Sequence, residues 1–218
     1  MKSRFLMALP IAAVLTLSIG QQSFAATPFA DINQVAEKNI IIELQEKGYV
    51  HGVDEQRYMP EAIMTAAQGF QLIVNALKLE ADPVKSEQPI QNVDPDEWFA
   101  DVLQIAAQNG IEMPAEFDPN RSWTREDFIY HLMLSMEHKY PFPMIKIAPV
   151  EFADSDELTL QYQGAVQRAI VRGIVKLDED RMLHPKDELS RADAAELIYQ
   201  AIAYLDAHPG PAVEPTQP

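Results

Sequence analysis

Three four-residue stretches decide how this chain folds: Thr65-Ala66-Ala67-Gln68, Thr124-Arg125-Glu126-Asp127 and Ser190-Arg191-Ala192-Asp193. In each, a hydroxyl residue is followed three positions on by an amide or an acid. That is the reciprocal arrangement in which a side-chain oxygen accepts from a helix N–H while the third residue's side chain reaches back. It is strict at Thr65/Gln68 and approximate where Asp stands for Glu, and it predicts helices beginning near Thr65, Thr124 and Ser190. The apolar residues downstream agree. Phe70, Ile73, Val74 and Leu77 keep the i, i+3, i+4, i+7 spacing, as do Ile129, Leu132, Met133 and Met136; Ala194, Leu197, Ile198, Ala201 and Leu205 continue it in the third stretch.

Moving outward, each stretch is preceded by a residue-proline pair, Met59-Pro60, Asp118-Pro119 and His184-Pro185, and farther upstream by a shared opening. The openings are Pro28-Phe29-Ala30-Asp31, Gln91-Asn92-Val93-Asp94 and Glu151-Phe152-Ala153-Asp154, their aspartates 63 and 60 residues apart. Each opening leads into another helical pattern: Ala36, Ile40, Ile41 and Leu44; Phe99, Val102, Leu103 and Ala106; Tyr162, Val166, Ala169 and Ile170. These patterns end at Gly48, Gly110 and Gly173, where glycine tolerates the left-handed conformation past a helix end. The chain therefore reads as all-α, with three helix-loop-helix units at 28–80, 91–139 and 151–207. Proline-bearing linkers at 81–91 and 140–150 separate them. The stretch 208–218, with Pro209, Pro211, Pro215 and Pro218 and no apolar period, reads as a disordered tail. Units this small cannot bury an apolar face alone and are expected to pack on one another.

Composition narrows the function. Of 218 residues, 33 are acidic and 17 basic, giving a formal charge of −16, and 47% are apolar. So acidic a chain is a poor ligand for nucleic acid, which is bound by lysine and arginine displacing counterions. With no cysteine, thiol catalysis, disulfides, zinc-thiolate sites and iron-sulfur clusters are excluded. Lys2 and Arg4, the apolar run Phe5 to Ile19 and the small residues around Ser23-Phe24-Ala25 read as an export signal over 1–25. The run is shorter than the roughly 20 residues a membrane span needs. Cleavage after Ala25 would remove two cations and no anions, leaving 15 basic residues against 33 acidic, a charge of −18. No later segment reads as a span, so no membrane association is expected after cleavage.

No His-Glu-x-x-His, Gly-x-Ser-x-Gly or glycine-rich phosphate loop is present, so neither an enzyme nor a cofactor or metal site is expected. The five histidines read as surface or boundary residues.

The threefold pattern of Phe-x-Asp-like opening, helix, Gly turn, proline and Thr-Arg-Ala-Glu-like helix start resembles the S-layer homology (SLH) domain over about residues 28–207. The resemblance implies three repeats packed as a pseudo-threefold helical assembly. It also implies that grooves between repeats hold the secondary cell-wall polysaccharide of Gram-positive bacteria, often through a pyruvylated sugar, at the cell surface. The family's motif arginine falls on Arg125 and Arg191, while the first repeat has Ala66 in that place. A guanidinium suits a carboxylate because its planar fork donates two parallel hydrogen bonds. Trp98 stands where the family has an aromatic residue and offers a face for a sugar ring. Arg125, Arg191, Trp98, Asp94 and Asp154 are thus the polysaccharide-binding candidates. The alternative is a degenerate repeat set serving as a structural module or binding another exported protein.

Overall fold

The computed structural model describes residues 28–83, 90, 93–111, 113, 117–140, 142 and 148–209. Among these residues six α-helices form: α1 (Lys38–Glu46), α2 (Ala66–Leu77), α3 (Ala100–Gln108), α4 (Arg125–Lys139), α5 (Gln163–Val171) and α6 (Arg191–Ala207). Single 3₁₀ turns at Ala30–Ile32, Ser155–Glu157 and Leu160–Tyr162 lead into α1 and α5. Isolated bridges are the only β-pairing among the described residues, so the chain is all-α. No helix among them is long and apolar enough to cross a membrane. The export-signal stretch, Gln91, Asn92, Pro114 and residues 210–218 lie outside the described residues.

The three helix starts read from the sequence are those of α2, α4 and α6. Thr65, Thr124 and Ser190 are their N-caps, and each carries the full reciprocal pair with Gln68, Asp127 and Asp193. A cap of this kind contributes about 1 kcal/mol. At the other end of the shorter helices, Gly48, Gly110 and Gly173 take φ of 73°, 85° and 70°, the left-handed conformation expected of them.

A capping box leaves the first two helical N–H groups unsatisfied, and here a neighbouring helix pair satisfies them. In α2, Ala66 and Ala67 donate to Arg121 O and Pro119 O at 2.9 Å each. In α4, Arg125 and Glu126 donate to Asp187 O (2.9 Å) and Pro185 O (3.1 Å). In α6, Arg191 and Ala192 donate to Ala62 O (3.0 Å) and Pro60 O (2.9 Å). The three motif prolines thus serve as carbonyl acceptors for the next helix in the cycle. Just inside, the residues before the caps close a ring: Met64 N–H donates to Leu189 O, Leu189 to Trp123 O and Trp123 to Met64 O, all at 2.9 Å. The side chains of these three residues are 1% exposed, so the ring sits in the core.

Helix packing follows the same cycle. α2 lies on α3, α4 on α5 and α6 on α1, while α2 also touches α4 and α6. One apolar core results, with Trp123, Tyr58, Phe70 and Phe128 its largest fully buried side chains. Phe70 meets Trp123 edge-on at 4.7 Å between centroids, and the indole lies directly over Gly69 of α2. A Cβ on Gly69 would stand 2.2 Å from Trp123 Cε3.

Because both the ring and the helix are fixed, Gly69→Ala should destabilise the protein by about 1–3 kcal/mol in urea unfolding, as over-packed cores do. Gly164→Ala, at an exposed site in α5 where the added methyl meets only the flexible end of Arg168 at 3.0 Å, should be neutral or mildly stabilising. Equal midpoints for the two variants would refute this account of Gly69.

Candidate functional site

The segment after α1 turns sharply at Gly52, where a Cβ would lie 2.4 Å from Asp54 O and 2.5 Å from Arg57 O; no side chain fits there. Asp31 holds the far side of the turn, its carboxylate accepting from the N–H groups of Tyr58 (2.9 Å) and Met59 (2.8 Å). This fixes Met59 in the left-handed region at φ 59° immediately before Pro60. Asp154 does the same in the third helix pair: it is 3% exposed and accepts from Leu183 (2.9 Å) and His184 (2.7 Å), with His184 at φ 57° before Pro185. Asp154 is therefore a turn fastener with its carboxylate turned inward. Asp94 is exposed and accepts from Asp96 N–H at 3.0 Å.

Between the first turn and α2 lies a cavity of about 510 Å³. Its walls come from three helix pairs at once: Tyr58, Gln68, Gln71 and Asn75 from the first, Trp98 from the second and Arg191 from the third. Trp98 is 59% exposed and stands edge-on to Phe99, so it is a surface aromatic and not a core residue. Arg191 is fixed in place. Its Nε donates to Tyr58 O (2.8 Å) and one Nη2 hydrogen to His51 O (2.9 Å), while the guanidinium lies 4.5 Å from the Tyr58 ring centroid. Tyr58 returns a bond from its hydroxyl to Arg191 O (3.0 Å); burial pushes its phenol pKa up to about 12, partly offset by Arg191. The two bonds leave three of the five guanidinium N–H groups without an assigned acceptor among the described residues. None of the described lining residues is Asp or Glu. At that wall an anion meets a cation and, among the described lining residues, no like charge.

Arg125, the other motif arginine, is placed differently. It faces Asp193 across 3.7 Å, and its Nε is buried with no partner among the described residues. Two residues before Pro185 the third helix pair has Leu183, where the first has Tyr58 before Pro60, so Arg125 does not find there the ring that Arg191 lies on. In the groove beside α4, Ala66 occupies the arginine's place, as the sequence indicates. Arg121 enters instead, gripping Asp127 with Nη1 (2.9 Å) and Nη2 (3.1 Å). Burial raises the Asp127 pKa, but the bonds from Arg121 and Thr124 outweigh it and the carboxyl stays below its ordinary range.

His131 has the intermediate exposure expected of a boundary residue; on its inner side it stacks on Trp123 (5.0 Å, 10°) and meets Phe70 edge-on, and its Nδ1 is buried with no partner among the described residues. Burial lowers its pKa to about 4. His131 sits one turn beyond Asp127 on the face of α4 that carries Phe128. Among the described residues no group of His, Asp and Glu is arranged to hold a metal.

Residues 151–195 match the profile of the S-layer homology domain. The chain is also similar to an amylopullulanase of Thermoanaerobacterium thermosulfurigenes, 27% identical over 176 residues, which are 78% of this chain and 9% of that protein. Exoglucanase XynX of Acetivibrio thermocellus is 26% identical over 176 residues, 78% of this chain and 16% of that enzyme. The surface-layer 125 kDa protein of Lysinibacillus sphaericus is 24% identical over 216 residues, 95% of this chain and 18% of that protein. The chain thus spans less than a fifth of the length of each of these relatives.

The half-buried imidazole, packed between Trp123 and Phe70, makes stability depend on pH. A folded pKa near 4 against an ordinary value of 6.5 means that the unfolded chain binds the proton first. Stability should therefore fall as pH drops from about 6.5 to 4, by up to about 3 kcal/mol from this residue. Urea unfolding at stepped pH should show that slope for the parent, and His131→Gln should flatten it; an unchanged slope in the variant would refute the assignment.

Proposed function

We propose that this chain is a non-catalytic module that attaches to the bacterial cell wall from outside the cell by gripping an anionic group of a secondary cell-wall polysaccharide in the groove of Trp98 and Arg191. The observation that carries the proposal is the arginine held by two backbone carbonyls and the Tyr58 ring, in a wall whose described residues include no carboxylate. A preorganised guanidinium loses little freedom on binding and offers a carboxylate two parallel donors, while Trp98 provides a face for a sugar ring. A pyruvylated sugar, with its carboxylate on a ring, matches that pair of contacts.

The relatives support a portable attachment role. Two carry enzyme names and one a surface-layer name, and each resembles this chain over only a small part of its own length. A segment shared by proteins of such different names reads best as the part that attaches them. We take the three helix pairs, at 28–80, 91–139 and 151–207, to be three SLH repeats about a pseudo-threefold axis, supported by the cyclic hydrogen bonds of the helix starts. On this reading the module is exported and sits on the surface of a Gram-positive-type cell, and Arg191 outranks Arg125 as the ligand arginine.

The test is sedimentation of the mature protein with purified wall, before and after acid extraction of the secondary polymer. Pelleting should require the polymer; equal pelleting with and without it would overturn the proposal and leave capture by another wall component. Arg191→Ala should weaken pelleting about 10- to 100-fold, the range for losing charge-assisted hydrogen bonds. Arg125→Ala should cost much less, and Arg191→Lys should not restore binding, since it keeps the charge but loses the fork. Because recognition rests on one placed cation and the surrounding field repels an anion, raising salt from about 0.05 to 0.3 M should leave pelleting largely intact. A steep loss over that range would argue for diffuse charge attraction instead.

A further inference from the structure

Asn109-Gly110 is the one Asn-Gly pair in the sequence; the other five asparagines, Asn33, Asn39, Asn75, Asn92 and Asn120, precede residues that carry a side chain. The pair has a chemistry of its own. A backbone nitrogen that follows asparagine can attack the side-chain amide carbon, and glycine, which has no Cβ to obstruct the approach and the widest backbone freedom, permits it best.

The fold requires both residues. Gly110 stands at φ 85° just past α3, where its N–H donates to Ala107 O and that of Ile111 to Ala106 O, each at 3.1 Å. That double closure of a helix end favours glycine. His138 of α4 leaves no room for a larger residue, since a Cβ on Gly110 would lie 2.5 Å from its Nδ1. Asn109 is equally fixed. Its Nδ2 donates to Ile105 O (2.8 Å) in the last turn of α3 and to Glu80 O (3.0 Å) in the linker from the first helix pair. Beside it, Gln108 Oε1 accepts from Asp82 N–H at 2.8 Å. Two neighbouring amides thus clamp residues 80–82 onto the end of α3.

The same bonds keep the reacting atoms apart. For attack, Gly110 N must leave Ala107 O, and Asn109 Nδ2 must leave both of its acceptors. Three hydrogen bonds have to open together, so the folded chain reacts only when the end of α3 opens.

We propose that Asn109 is a self-modification site gated by the fold: opening of the α3 end lets Gly110 N attack Asn109 Cγ, and the acid that results weakens the clamp it came from. As the N–Cγ bond forms, the Cγ–Nδ2 bond breaks. Ammonia leaves, taking the Gly110 amide proton, and a five-membered succinimide remains. Water then opens the ring at one carbonyl to give aspartate or at the other to give isoaspartate. Neither product has a donor for Glu80 O, and each adds a negative charge at a helix C-terminus, against its dipole. Isoaspartate also lengthens the main chain by a methylene, which shifts Ile111, 1% exposed, out of register with the core. Opening of this helix end therefore leaves an irreversible mark. The inference is independent of what the Trp98–Arg191 groove binds.

The test follows deamidation of the purified full-length protein in mildly alkaline buffer, with and without guanidinium chloride, by peptide mass mapping and enzymatic isoaspartate methylation. In the denaturant, Asn109 should convert ahead of the other five asparagines. In buffer alone its conversion should be at least about tenfold slower, the least that three hydrogen bonds opening together imply. Gln108→Ala, which removes the bond to Asp82 N–H, and His138→Ala, at an exposed residue against Gly110, should each speed conversion in buffer and leave the denatured rate unchanged. Asn109→Asp should unfold at a lower denaturant concentration than the parent. Equal folded and denatured rates at Asn109, no lead over the other asparagines in the denaturant, an unchanged buffer rate in both clamp variants, or a parent-like midpoint for Asn109→Asp would each overturn the proposal.

Discussion

Each of the three principal helices begins with two backbone N–H groups that its own sequence does not satisfy, and the fold is arranged so that the turn of another helix pair supplies the acceptors. α2 takes them from the turn before α4, α4 from the turn before α6, and α6 from the turn before α2. Unpaired buried N–H groups cost on the order of 1–3 kcal/mol each. No helix pair can therefore complete its own helix start, and the three are bound to form together or not at all. The inner ring of Met64, Trp123 and Leu189 carries the same dependence into the core. This explains how a chain without a cysteine holds small helical units: the staple is a closed cycle of hydrogen bonds wrapped in apolar side chains.

The same cycle builds the grooves. Because each turn bonds to the next helix start, the first residue of that helix is delivered to the edge of a cavity belonging to its neighbour. Arg191 reaches the first helix pair's cavity because its own N–H is held by Ala62 O and its guanidinium by Tyr58 O and His51 O. One residue thus serves both fold and site, and the N-terminal position that is unfavourable for a cation in an isolated helix is tolerated because three carbonyls and an aromatic ring surround it.

The helix starts, the glycine-terminated first helices and the turn prolines were legible in the sequence because they are local: a cap or a left-handed glycine is settled within four residues. The Phe-x-Asp openings were legible as repeats but not as to role, since only the folded turn shows Asp154 bonding to Leu183 and His184, 29 and 30 residues away. Nor could spacing say which arginine would line a cavity free of carboxylates among its described residues. Arg125 and Arg191 occupy equivalent motif positions, and what separates them is contributed elsewhere: Tyr58 and Gln68 around one, Leu183 and Asp193 around the other. The partnership of Trp98 with Arg191, 93 residues apart in sequence, was hidden for the same reason, because two different helix pairs bring them to a cavity framed by a third.

The distribution of charge follows from this division. A net charge of −16 would make any surface arginine prone to pairing with a carboxylate, and most do pair: Arg57 with Asp54, Arg121 with Asp127, Arg168 and Arg172 with Glu137. Arg191 escapes because the residues that could neutralise it are amides. At the position three residues after the cap, Gln68 faces the Arg191 cavity where Asp127 and Asp193 stand in the other two helix pairs, and Gln71 takes the place of Tyr130 and Glu196. Gln68 still completes the capping box, as a carboxylate would, but brings no negative charge. The first helix pair is thus the one that lost the motif arginine, at Ala66, and also the one whose groove keeps a neighbour's arginine free. Loss of the motif arginine at one helix start and an unpaired arginine at the cavity beside it are consistent, because a motif arginine never faces the cavity of its own helix pair: Arg191 faces that of the first pair.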